Sequence, residues 1–148
     1  MPFLSESLRL TPAVWGIPRN PTKAGVTVTV DGITTRVRRG QVVTVYVRGI
    51  NRDAKRWTDP IRFDPSRHET AVKEQQRALL PFGLGPRGCI GQHLALAELH
   101  AVVPALARLG DVELSTAVEE DANFSLRTKH GLRGRFVTPA HAPARSGQ

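Results

Sequence analysis

The chain has 148 residues and sets 21 Lys and Arg against 13 Asp and Glu, a formal net charge of +8. That length suits one ordinary domain, and 40% hydrophobic residues exclude extensive disorder away from the ends. A single cysteine, Cys89, excludes an internal disulfide.

The first ten residues, MPFLSESLRL, predict a helix. Pro2 stands where a first turn tolerates it, and Phe3, Leu4 and Leu8 fall at helical spacing. Thr11-Pro12 ends the helix, because the residue before a proline is pushed out of the α region. A proline-rich connection through Pro18 and Pro21 follows. Val26–Val30 then alternates, Asp31-Gly32 is a strong hairpin signal, and Ile33–Arg38 returns. Arg39-Gly40 turns again into Gln41–Val47, so the expectation is a small β-meander. Asn51–Phe63 is irregular, with turns at Asp59-Pro60 and Asp64-Pro65, and Ser66–Gln76 is polar with weak helical potential. Leu79–Gly91 holds four glycines and two prolines in 13 residues, a loop of restricted backbone shape.

A helix is predicted directly behind that loop, from Gly91 to Leu109, closed by Gly110. Apolar residues surround nearly its whole circumference, which predicts burial on most sides. Pro104 costs about 3 kcal/mol in a regular helix and predicts a kink or break. Glu98, His100, Pro104 and Arg108 interrupt the apolar run, so no membrane span is expected. Met1–Leu10 lacks the basic and apolar regions of a secretion signal, and a cytoplasmic location is the expectation. Val112–Ser115, Asn123–Lys129 and Leu132–Thr138 predict short strands around a His130-Gly131 turn, and 139–148 a disordered tail. Helix and small antiparallel sheets together give an α+β class.

The chemistry concentrates around Cys89. Gly83-Leu-Gly85-Pro-Arg-Gly88 satisfies the dinucleotide pattern G-x-G-x-x-G, but its context is wrong. Leu79-Leu-Pro81 is a poor strand, Pro86 lacks an N–H, and the nearest candidate for the acid about 20 positions later, Asp111, sits at a turn. A second reading uses more residues. A cysteine just before a helix start meets partial positive charge that stabilises a thiolate. Gly88 and Gly91 let backbone approach the sulfur, Arg87 offers a two-pronged grip for a carboxylate, and Phe82 can wall one side. Such a set suits a haem iron and its propionate. The competing reading is an inert cysteine in a glycine-rich turn, against a chance match on the order of 10⁻⁵ for the whole pattern.

Phe82-Gly-Leu-Gly85-Pro-Arg87-Gly-Cys89-Ile-Gly91 resembles the haem-binding signature of the cytochrome P450 superfamily of haem-thiolate monooxygenases. Glu6-Ser-Leu-Arg9 is similar to the family's Glu-x-x-Arg helix, and Pro60-Ile-Arg62-Phe63 to the later segment whose Arg joins that pair. The three pieces occur in the family's order. Asn51-Arg52-Asp53 and Leu94-Ala95 fit as well. The resemblance implies haem b with Cys89 as axial iron ligand, surrounded by Phe82, Gly85, Arg87 and Gly91, and a buried triad of Glu6, Arg9 and Arg62. It further implies an electron-donor protein, ferredoxin or reductase, and insertion of one oxygen atom from O₂ into an organic small molecule. Basic residues such as Arg77 and His93 would meet the donor.

The resemblance places residues 1–138 in the C-terminal part of a mainly α P450 domain. The family's distal Ala/Gly-Gly-x-Asp/Glu-Thr string does not occur in this sequence, so the isolated chain is expected to be inactive. The alternatives are a non-catalytic haem-thiolate binding fragment and a basic nucleic-acid-binding protein. Only 5% aromatic residues and no reader motif weigh against the latter. His93 and His100, seven residues apart, form no metal site of their own.

Overall fold

A computed structural model describes residues 1–21, 25–70, 75, 78–123 and 125–137, which fall in two units, Met1–Gly83 and Leu84–Gln148. The first unit opens with α1, Pro2–Leu10, with proline in its first turn. The Thr11 N–H closes the helix on the Ser7 carbonyl at 2.8 Å. The α1 face turned inward carries Leu4 but also Glu6 and Arg9, all buried. The predicted hairpin forms as β2, Val26–Val30, and β3, Ile33–Val37. Asp31 and Gly32 sit at φ +49° and +78°, the left-handed pair whose twist matches antiparallel strands.

The meander does not form. The strand after the hairpin, β4 at Val43–Val45, pairs with β1 at Ile17–Arg19, in register Ile17 to Val45. Gly40, at φ +86°, redirects the chain, so two separate two-stranded ladders replace one three-stranded sheet. Strand β1 lies inside the proline-rich connection, where Pro18 masks it in the sequence. An edge strand tolerates proline when the missing N–H faces away from the ladder. A short helix, α2 at Val47–Ile50, follows β4 at once and buries Val47. The predicted helical potential after Asp64 yields a 3₁₀ turn, Pro65–His68, packed against α1. Residues 71–74 and 76–77 lie outside the described residues. Among the described residues, Leu4, Pro12, Val37, Val47, Trp57 and Ala78 are buried apolar side chains.

The second unit carries a 3₁₀ turn at Gly85–Arg87, then α3 at Gln92–Ala107. The helix ends at Ala107 with Arg108 as its C-cap, short of the predicted Leu109, and Gly110, at φ +127°, stands beyond that cap. No break occurs at Pro104, and the burial expected for this helix is not seen. It runs unbroken through Pro104, because only three helical residues follow and the lost hydrogen bond falls in the last turn. Nor is any of its residues buried, Leu94 being 66% and Val102 50% exposed. Its sequence records what the helix can bury, not what covers it in this chain.

Four strands complete the unit as nested hairpins. Strand β5, Asp111–Leu114, pairs with β8, Gly134–Val137, and between them β6, Glu120–Ala122, pairs with β7, Leu126–Thr128. His130-Gly131 is therefore the link from the inner to the outer ladder, not the tip of a hairpin. Opposite charges face each other across both ladders, Glu113 with Arg135 at 2.8 Å and Asp121 with Arg127 at 2.9 Å. The tail expected over 139–148 lies outside the described residues. Among the described residues no helix is long and apolar enough to cross a membrane.

Candidate functional site

Two clusters carry the residues singled out by sequence. In the first unit, Glu6 and Arg9 share one face of α1, as i, i+3 spacing requires. Both side chains are completely buried and meet in a two-pronged pair, Arg9 Nε donating to Glu6 Oε2 at 2.7 Å and Nη2 to Oε1 at 2.8 Å. Arg9 also donates to the carbonyls of Asn51 at 2.6 Å, Pro60 at 2.6 Å and Arg62 at 3.2 Å. All five N–H groups of a guanidinium are thereby used, which is why this charge tolerates full burial. The Trp57 ring lies 5.1 Å from the guanidinium carbon, and its indole N–H donates to the Ile50 carbonyl at 3.3 Å.

Glu6 collects donors from three further residues. The Asp64 N–H reaches Oε1 at 2.9 Å, Arg67 Nε reaches it at 3.0 Å, and His68 Nε2 lies 2.8 Å from Oε2. Burial works against the charged carboxylate, but hydrogen bonds from Arg9, the Asp64 N–H and His68, with the Arg9 charge, outweigh it and hold the pKa at about 2. An ionised carboxylate only accepts, so His68 Nε2 carries a proton. Asp64 caps the 3₁₀ turn, accepting from the Ser66 N–H at 3.1 Å. Its carboxyl is held below the ordinary value, chiefly by the Ser66 hydroxyl.

The expectation for Arg62 needs correction. Its carbonyl joins the network, while its side chain is exposed. The second guanidinium on Glu6 comes from Arg67. Two Pro-x-Arg strings stand five residues apart, Pro60-Ile-Arg62-Phe63 and Pro65-Ser-Arg67-His68, and spacing alone does not rank them. The 3₁₀ turn decides, because it presents Arg67 and His68 toward α1. Arg67, His68 and Trp57 are the network residues that sequence reasoning missed.

The second cluster is the cysteine loop. Leu84 is extended, Gly85 turns at φ +70°, and the Gly88 N–H closes the 3₁₀ turn on the Gly85 carbonyl at 2.9 Å. Cys89 is a free, exposed thiol. Its carbonyl accepts the Gln92 N–H at 3.3 Å, and Gly91 is the N-cap of α3. A Cβ on Gly91 would stand 3.9 Å from the sulfur, so a larger residue there would project its side chain beside the thiol. Arg87 is exposed, and among the described residues no acid pairs with it. Phe82 is half-buried at the end of the first unit. Among the described residues no three His, Cys, Asp or Glu side chains cluster to hold a metal.

A family model for cytochrome P450 matches residues 2–129. The chain belongs to the cytochrome P450 family. It is 37% identical over 132 residues to a Mycobacterium tuberculosis protein bearing the name cytochrome P450 132, covering 87% of this chain and 28% of that one. Cytochrome P450 76C3 of Arabidopsis thaliana is 38% identical over 149 residues, covering 95% and 28%. Among solved structures, retinoic acid-bound cyanobacterial CYP120A1 superposes with a TM-score of 0.75 at 27% identity, over 90% of this chain and 31% of that chain. The chain thus spans about 28% of the length of these curated P450 relatives. P450 proteins are haem proteins, and the small antiparallel ladders and helices seen here belong to a piece of that fold.

Proposed function

We propose that this P450 chain supplies the thiolate side of a haem b site, with Cys89 as the axial iron ligand. The observation that carries the reading is the exposed Cys89 thiol in a loop that leads directly into α3, within a sequence that holds every fixed position of the signature. The donor set fits the group. Cys89 offers a soft anionic sulfur, the Gly91 N-cap keeps the space beside it free of a side chain, and Arg87 has N–H groups available for a propionate. Gly85 supplies the left-handed turn, and Phe82 is the aromatic position of the signature. When bound, haem iron with an axial thiolate favours O–O cleavage and supports transfer of one oxygen atom into an organic substrate, with electrons from a ferredoxin or reductase.

Within the first unit, Glu6, Arg9 and Arg67 act as a structural network, since a buried, saturated ion pair fixes geometry more than it adds stability. The isolated chain is proposed to bind haem without turnover, because its sequence lacks the acid and threonine string of the distal side. A cytoplasmic location belongs to the same reading.

The test is reconstitution of the 148-residue chain with haem, followed by reduction under CO. The expected result is a strongly red-shifted Soret band, lost in Cys89→Ala and kept in the exposed control Ser115→Ala. If haem in excess gives no such band in a chain with native circular dichroism, the assignment of Cys89 fails.

A further inference from the structure

We infer that the open end of the β2–β3 hairpin is a binding site for a clustered-phosphate ligand of the pyrophosphate class, a function separate from the Cys89 loop. Gly25, Arg36, Arg38 and Arg39 line a concavity of about 450 Å³ there. All three arginines are exposed, and among the described residues no acid pairs with any of them. The acid on the same hairpin, Asp31, lies at its opposite end and faces Lys55 at 3.8 Å. Three guanidiniums around one hollow repel one another unless an anion sits between them.

The walls of the hollow are built, not incidental. Gly25 holds φ +75°, and a Cβ there would stand 2.9 Å from Arg36 Nη2. Glycine at this position is what lets the Arg36 guanidinium lie against the backbone. Arg38 and Arg39 sit on a turn braced twice, by the Gln41 N–H on the Arg38 carbonyl at 3.2 Å and the Arg38 N–H on Gln41 Oε1 at 2.7 Å. A fixed turn presents its two side chains at less entropic cost than a mobile one. Guanidiniums match phosphate oxygens two at a time, and three of them on one concavity favour two linked phosphoryl groups over one.

Register separates this site from the apolar side of the hairpin. Arg36 pairs with Thr27, whereas Val26, Val28 and Val30 pair with Val37, Thr35 and Ile33 and so share the opposite face. A flat bilayer does not reach both faces at once, so the chemistry favours a compact phosphate cluster, whether free in solution or on a protruding lipid headgroup.

The full 148-residue chain is titrated with pyrophosphate by calorimetry at low and at physiological salt. The expected result is saturable one-site binding that weakens with salt. R36Q/R38Q/R39Q should lose at least tenfold in affinity. R127Q/R135Q, which removes two arginines already paired with acids, should stay within about twofold, consistent with weak interactions at a distance. If the triple variant loses its circular dichroism, the single variant Arg39→Glu takes its place, with the same tenfold expectation. Sedimentation with vesicles containing phosphatidylinositol bisphosphate, competed by pyrophosphate, assigns the phosphates to a lipid headgroup, and its absence assigns them to a soluble compound. Equal losses in the hairpin and control variants, or no saturable titration in either arm, overturn the proposal.

Discussion

Arg67 Nε stands 3.0 Å from Glu6 Oε1 across 61 residues of chain. That bond, and not one from Arg62, ties the 3₁₀ turn to α1. Arg67→Ala should therefore destabilise the chain by about 2 kcal/mol, the order expected when a buried charge loses a hydrogen-bonded partner. Arg62→Ala should stay within about 0.5 kcal/mol, because its contribution is a carbonyl that alanine retains. Urea unfolding followed by Trp57 fluorescence ranks the two, and the reverse order would return the role to Arg62.

Arg9→Lys tests the five-donor arrangement. An ammonium has three N–H donors and no planar fork, so it leaves Glu6 or a buried carbonyl unmatched. The expected loss is about 3 kcal/mol or more, in the range for breaking a buried ion pair. A lysine variant as stable as the parent would show that the carbonyl bonds contribute nothing.

Acid should unfold the chain through Glu6. Its carboxyl titrates near 4.5 ordinarily and at about 2 in the folded chain, so the unfolded chain takes up the proton first as pH falls. The Glu6 contribution is fully present above pH 4.5, declines between there and about 2, and is lost below. Unfolding midpoints across that window should drop in the parent and flatten in Glu6→Gln, while the exposed Glu113→Gln leaves the slope unchanged.

Cys89 and Arg87 should separate ligation from grip. Cys89→Ala, at an exposed position, should leave the unfolding midpoint nearly unchanged while removing the thiolate signature of bound haem. Arg87→Ala should keep that signature and weaken haem affinity by roughly tenfold, the worth of one charge-assisted bond. Difference spectra during haem titration read both outcomes, and loss of the signature in Arg87→Ala would contradict the division.

Much of the structure is legible from sequence where local chemistry dictates it. Pro2 and Thr11-Pro12 bracket α1 and Asp31-Gly32 sets its hairpin, because each depends on the backbone preferences of one or two residues. Pairing partners far apart in the chain are not legible. The sequence of Val43–Val45 states that a strand is favourable, but its partner at Ile17–Arg19 is set by the path through Gly40. The same holds in the candidate site. Cys89 announces itself by spacing, whereas the choice between Arg62 and Arg67 depends on which of two similar strings is wound into a turn facing Glu6. Trp57 gave no periodic signal, since it sits in an irregular stretch and is buried by long-range packing.

The ladders have a consequence of their own. Each of the four joins only two strands, so among the described residues every strand has one side with no strand bonded to it. Outward-pointing N–H and C=O groups on that side are a template for a strand from another molecule. Val30 and Ile33, 64% and 71% exposed at the tip of the β2–β3 hairpin, would make such pairing adhesive. Recovery of this chain from denaturant should accordingly fall as its concentration rises, and a lysine placed at Ile33 should act as a gatekeeper against self-assembly.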